Sequence, residues 1–155
     1  MVVKNTVVCD VNGEKRADVR IENGVITEIG EGLVASEVID AKGAYFIPSL
    51  IDINITLKDK TLNAKNIKKI AKEALAGGIG HVVLNPTTTP AVDNEVVLEY
   101  AQNTLQELEG AKVDIALNTL KEDMSLSNIA ILLKKGAIAP YMSTIAKNNL
   151  AIKIA

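Results

Sequence analysis

The chain has 155 residues, a formal net charge of −2, 48% hydrophobic and 23% charged residues. That is a globular composition with enough chain for one ordinary core and a small appendage. The near-zero charge gives no electrostatic footprint for nucleic acid or an anionic membrane, and 3% aromatic residues leave little for base stacking. The single cysteine, Cys9, excludes an intramolecular disulfide framework and reads as a small apolar strand residue. With no N-terminal apolar segment and no apolar run of about 18 residues, the expectation is a cytoplasmic protein without a membrane span.

Val2 to Val8 is a β-branched run followed by the turn residues Asp10-Val-Asn-Gly13, and Ala17–Ile21 and Val25–Ile29 flank a second turn at Glu22-Asn-Gly24. Residues 30–36 form a surface tract leading to Val38-Ile39-Asp40. Residues 1–47 are therefore expected to form a small antiparallel β subdomain.

After the Pro48-Ser49 break the rhythm changes. Leu50–Leu57 reads as a buried strand, with Asp52, Asn54 and Thr56 sharing one face. Lys60–Ala76 has apolar residues at helical spacing and a Gly77-Gly78 stop; its lysines, with Lys58, read as a solvated face. Ile79–Leu84 is a second strand, Asn85–Pro90 its loop, and Asp93 the cap of a helix to about Leu108. Val113–Leu117, a helix from Ser125 to Lys135-Gly136, a strand at Ala137–Ala139 and a helix from Ser143 complete the pattern.

Alternating strands and helices define an α/β class with a parallel sheet. Residues 48–155 are expected to form the N-terminal part of a (β/α)-barrel, about four βα units with right-handed crossovers; a complete barrel takes about 250 residues. Two open sheet edges follow, so either the chain is a piece of a longer parent or a second copy or partner covers them.

No nucleophile, base and carboxylate can be assembled from spacing. His81 is the only histidine, has no carboxylate partner in sequence reach, and reads as a half-buried structural residue. Asp52 reads as a buried hydrogen-bonding group rather than a general base, and Gly77-Gly78 lacks the Lys-Ser/Thr of a phosphate loop.

The phrase Phe-Ile-Pro-Ser-Leu-Ile-Asp-Ile-Asn-Ile-Thr-Leu-Lys-Asp at 46–59 resembles the first barrel strand of the amidohydrolase superfamily, most closely of dihydroorotases. Val-Ile-Asp-Ala-Lys-Gly at 38–43 and Asn-Pro-Thr-Thr-Thr-Pro at 85–90 resemble further phrases of that family. The resemblance implies that Asn54 and Thr56 stand where active members place the paired histidines that hold zinc, and that Met142 and Ser143 stand at a carboxylate position. It implies that Lys58, Thr87 and Thr88 are remnants of a substrate site. Zinc serves as cofactor in the active members; here the expectation is no cofactor and no catalytic residue, hence a pseudoenzyme. Zinc-less members assemble with aspartate carbamoyltransferase in pyrimidine biosynthesis, which makes that protein, or self-association through barrel edges, the expected partner. Two alternatives stand beside this reading: the N-terminal half of an active zinc-dependent cyclic amidohydrolase, and a carboxylate-binding module centred on Lys58 and Thr87.

Overall fold

Residues 1–106 and 108–142 of the chain are described by a computed structural model, and they divide into two units at Pro48 and Ser49. In the first, Val2–Asp10 (β1), Gly13–Glu22 (β2) and Val25–Gly30 (β3) form an antiparallel meander. Asn23 and Gly24 join β2 to β3 with φ of +51° and +77°. A two-residue turn that matches strand twist needs positive φ at both positions, which is why Asn-Gly stands there.

The expectation of a purely antiparallel unit is corrected. Val38–Asp40 (β4) and Tyr45–Phe46 (β5) both run parallel to β1, along the edge that β2 leaves free. The tract before β4 returns the chain to the start of β1, where the Val2 N–H donates to the Glu37 carbonyl at 2.9 Å. Hairpin signals in the sequence report only neighbours joined by tight turns, so this crossover left no mark.

Asp18 ties the unit together. It is 8% exposed, and its Oδ1 accepts from the Asn5 N–H at 3.0 Å while Oδ2 accepts from the Leu33 N–H at 3.1 Å. Asn5 has φ +57° and sits in a bulge of β1 where the ladder with β2 slips between Val3 and Thr6. One carboxylate thus satisfies two N–H groups that no ladder serves. Asp18→Ala is expected to cost roughly 1–3 kcal/mol, read as a lower urea midpoint, with Asp18→Asn losing less because it keeps one acceptor.

The second unit runs Leu50–Ile55 (β6), Ala64–Ala76 (α1), Ile79–Leu84 (β7), Glu95–Asn103 (α2), Lys112–Ile115 (β8), Leu117–Asn118 (β9), Ile129–Lys134 (α3) and Pro140–Tyr141 (β10). Strands β6, β7 and β8 form one parallel sheet, and β9 pairs parallel with β10. At Ala116 the third strand changes partner: the Ala116 N–H donates to Leu84, and the Leu117 N–H to Ala139.

Helix starts are set by side chains that accept N–H bonds. Asn63 accepts from Asn66, so α1 begins at Ala64 and not at Lys60. Asn94, not Asp93, caps α2 by accepting from Val97, and α2 ends at Asn103, short of Leu108. Ser125 turns back onto Asp123, its N–H and hydroxyl both donating to Oδ1, so α3 starts only at Ile129. The fourth strand lies at Pro140–Tyr141, just beyond Ala137–Ala139. The helix expected from Ser143 lies outside the described residues.

Val82 and Leu84 on β7 and Val113 and Ile115 on β8 pack with Ile67, Ala71 and Ala74 of α1 and Leu98 and Ala101 of α2. Alanines on the helix faces allow close approach to the sheet. The strand β6 departs from expectation: Leu50, Ile51 and Ile53 are 57%, 62% and 77% exposed. Among the described residues β6 is an edge strand paired only with β7, so an apolar run marks a strand whose cover the described elements do not supply.

Gly110 lies where α1 meets the strand that follows. Its φ is +128°, and a Cβ there would stand 2.7 Å from the Ala71 carbonyl carbon and oxygen. Ala111 N–H donates to that same carbonyl at 3.0 Å, so neither side has room to retreat. Gly110→Ala is expected to lose roughly 1–3 kcal/mol by chemical denaturation.

Candidate functional site

The polar residues singled out in the sequence gather at the carboxyl ends of β6 and β7. Asp52 Oδ1 accepts the Asn54 N–H at 2.9 Å, and the pairing with β7 slips between Asp52 and Ile55. The simple alternation expected for Asn54 and Thr56 is therefore broken: Thr56 lies past the end of the strand.

Asn85, the first residue after β7, is 4% exposed. Its Nδ2 donates to Asn54 Oδ1 at 2.8 Å, and its Oδ1 accepts from the Thr87 N–H at 2.8 Å and from the Thr87 hydroxyl. Asn54 and Thr87, 33 residues apart in number, thus join one network through a residue that sequence reasoning passed over. The signal was present: Asn-Pro-Thr is a turn in which an asparagine oxygen takes the N–H two residues on.

Other candidates separate from this network. Thr88 is 8% exposed and donates its hydroxyl to the Pro90 carbonyl at 2.8 Å, a turn-closing bond. Thr56 and Lys58 line a groove of about 640 Å³ with Asn66, Lys69 and Ile70 of α1. Beside it, the Asp59 carboxyl is held below its usual range by the Thr61 N–H first and then by Asn66, against burial. Met142 is half-buried beyond β10, and Ser143 lies outside the described residues.

The donor set at 54 and 56 does not suit zinc. Zinc takes imidazole, thiolate or carboxylate, whereas these positions offer an amide and a hydroxyl, and the amide oxygen already accepts from Asn85. Among the described residues no group of three or more His, Cys, Asp or Glu side chains is placed to hold a metal ion.

His81 corrects another expectation, because it does have a carboxylate partner. Its Nε2 lies 2.7 Å from Asp114 Oδ2, which also accepts from Lys112 Nζ at 3.1 Å. The parallel register sets His81 beside Lys112 and Val83 beside Asp114, so the partner is a diagonal neighbour on the next strand. Sequence spacing carries no trace of such a contact. The cluster lies on the sheet face opposite Val82 and Leu84.

Partial burial acts to raise the Asp114 pKa, and hydrogen bonds from Lys112 and His81 outweigh it, holding the carboxyl below its usual range. A lowered folded pKa means stabilisation that is present above the ordinary carboxylate value, about 4, and is lost as pH falls through the folded value. The advantage of the protein over Asp114→Asn, followed by thermal melting, is expected at neutral pH and to vanish in acid.

No family model matches the chain. It is 37% identical to a dihydroorotase of Trichlorobacter lovleyi over 129 residues, 79% of this chain and 30% of that protein. It is 33% identical to a dihydroorotase of Caldanaerobacter subterraneus over 146 residues, 90% of this chain and 34% of that protein. Among solved structures, the L-hydantoinase of Arthrobacter aurescens superposes with TM-score 0.68 at 20% identity, over 90% of this chain and 32% of that one. A dihydroorotase crystal structure superposes with TM-score 0.64 at 13% identity, over 92% and 42%.

The chain therefore shares the mixed α/β fold of these two structures, over 32% and 42% of their lengths. By sequence it belongs to the dihydroorotase family, and it spans about a third of the length of the relatives it matches. No helix among the described residues is long and apolar enough to cross a membrane.

Proposed function

We propose that this chain is the N-terminal part of a dihydroorotase-like barrel, about four βα units, whose strand-end site has given up metal-dependent hydrolysis. The observation that carries the reading is the bond from Asn85 Nδ2 to Asn54 Oδ1. At a position where the family resemblance calls for a metal-binding imidazole, the side chain is an amide whose oxygen is committed to another amide. Hydrolysis of a cyclic amide needs an activated water, and a metal lowers the pKa of that water by several units. Asn54 and Thr56 supply no comparable activation.

What remains is a shaped scaffold, and its role is assembly. The exposed edge and apolar face of β6 suit association with further barrel strands or with a protein partner, for which aspartate carbamoyltransferase is the candidate. A second reading is supported by relatives named dihydroorotase and by the short span over which they match: a longer parent would bring active zinc ligands on strands beyond this chain.

The test is metal content and turnover. Purified protein supplied with zinc and then gel-filtered is expected to retain far less than one equivalent, and to leave dihydroorotate unhydrolysed. Near-stoichiometric zinc, or hydrolysis abolished by a chelator, would sink the proposal in favour of the second reading. Co-elution with added aspartate carbamoyltransferase on gel filtration checks the assembly role; separate elution counts against it.

A further inference from the structure

Two Asn-Gly pairs, Asn12-Gly13 and Asn23-Gly24, stand at hairpin turns of the first unit. In this dipeptide a main-chain nitrogen reaches its neighbour's side-chain carbonyl most freely, because glycine puts no Cβ in the way. Every other asparagine precedes a residue that carries a Cβ, and Asn85 precedes Pro86, whose nitrogen has no hydrogen.

The two turns differ in what holds that nitrogen. The Val7 N–H donates away from β2, to the Ala44 carbonyl, so Asp10, an odd number of residues further on, faces β2 and its pair with Gly13 is a hydrogen-bonded one. The Gly13 N–H is thereby tied to the Asp10 carbonyl, and the Asn12 N–H donates to the Asp10 carboxylate at 2.7 Å. In the second turn the Ile21 N–H donates away from β3, to the Met1 carbonyl, so Glu22 faces β3 and forms the hydrogen-bonded pair with Val25. There the Val25 N–H closes the turn. Gly24 lies inside it, and its N–H has no acceptor among the described residues. Asn23 and Gly24 are both exposed, and β3 beyond them is an edge strand whose Val25, Ile26 and Ile29 are exposed too. Attack requires the Asn23–Gly24 peptide to rotate out of its turn geometry, and a lightly packed edge hairpin opens locally at low cost.

We propose that Asn23 is a site of spontaneous covalent rearrangement, in which the Gly24 main-chain nitrogen attacks the Asn23 side-chain amide. Hydroxide takes the proton from the Gly24 nitrogen, which bonds to Asn23 Cγ. The Cγ–Nδ2 bond breaks, and the departing nitrogen takes a proton from water and leaves as ammonia. Water then opens the resulting five-membered imide: breaking the bond from nitrogen to Cγ gives aspartate, and breaking the bond from nitrogen to the main-chain carbonyl carbon gives isoaspartate. Nothing is oxidised or reduced. Either product places a new carboxylate next to Glu22. The isoaspartyl product also adds a methylene to the main chain, which a two-residue turn matched to strand twist does not accommodate.

The test keeps folded protein in mildly alkaline buffer, digests it with trypsin and follows the gain of one mass unit. Asn23 is the sole asparagine of the tryptic peptide 21–42, and Asn12 lies in peptide 5–15, where fragmentation separates it from Asn5. Conversion at Asn23 is expected to run about fivefold faster than at Asn12, the factor supplied by one main-chain hydrogen bond that must first break, and to accelerate as pH rises. In urea the two rates are expected to converge, because the difference belongs to the fold. Labelling by an isoaspartyl-specific methyltransferase is expected on peptide 21–42. Asn23→Asp, which keeps a residue suited to the turn, is expected to show no mass gain in that peptide. Equal rates at the two sites in folded protein, faster conversion at Asn12, or an unchanged peptide 21–42 while the unfolded chain reacts, overturns the proposal.

Discussion

The second unit depends on β7 being a strand with neighbours on both edges. Parallel pairing with β6 on one side and β8 on the other fixes which residues meet across the sheet, and everything described at the site follows from those registers. Val82 and Leu84 turn toward the helices and carry the core; His81 and Val83 turn the other way. The same strand delivers Asn85 to its carboxyl end beside Asn54, which is where parallel α/β folds collect their functional groups because the loops there are free to vary.

The uncovered face of this sheet combines features that rarely coexist on a closed surface. Ile51 and Ile53 are more than half exposed, yet they lie on the strand adjacent to the half-buried His81–Asp114 pair, which the exposed Lys112 joins. Apolar side chains left in water gain nothing from folding, whereas an ion cluster in partial burial gains from further exclusion of water only if its partners stay paired. Asp114 already has two. Asp114 thus has its partners in place on a face that the described elements leave uncovered.

Much of the architecture was legible because it is local. Positive-φ turns announce themselves as Asn-Gly, helix ends as Gly-Gly, and strands as β-branched runs, so β1 to β3, α1 and β7 read directly from the sequence. The errors share a cause. Parallel pairing of β4 and β5 with β1, the exposure of β6 and the His81–Asp114 contact all depend on residues far apart in the chain. Helix starts failed for a narrower reason: at Asp93-Asn94 and at Ser125 more than one residue could cap or turn, and only geometry chooses the acceptor.

At the strand-end site one buried amide sets the orientation of another. An asparagine presents an oxygen on one side and donors on the other, so its neighbours decide which way it faces. Here the instruction begins at Thr87, passes through Asn85 and arrives at Asn54. Because Asn85 is buried, its amide cannot be left unpaired without cost, so the loop after β7 and the end of β6 are held to one another by the same bonds that orient the Asn54 amide.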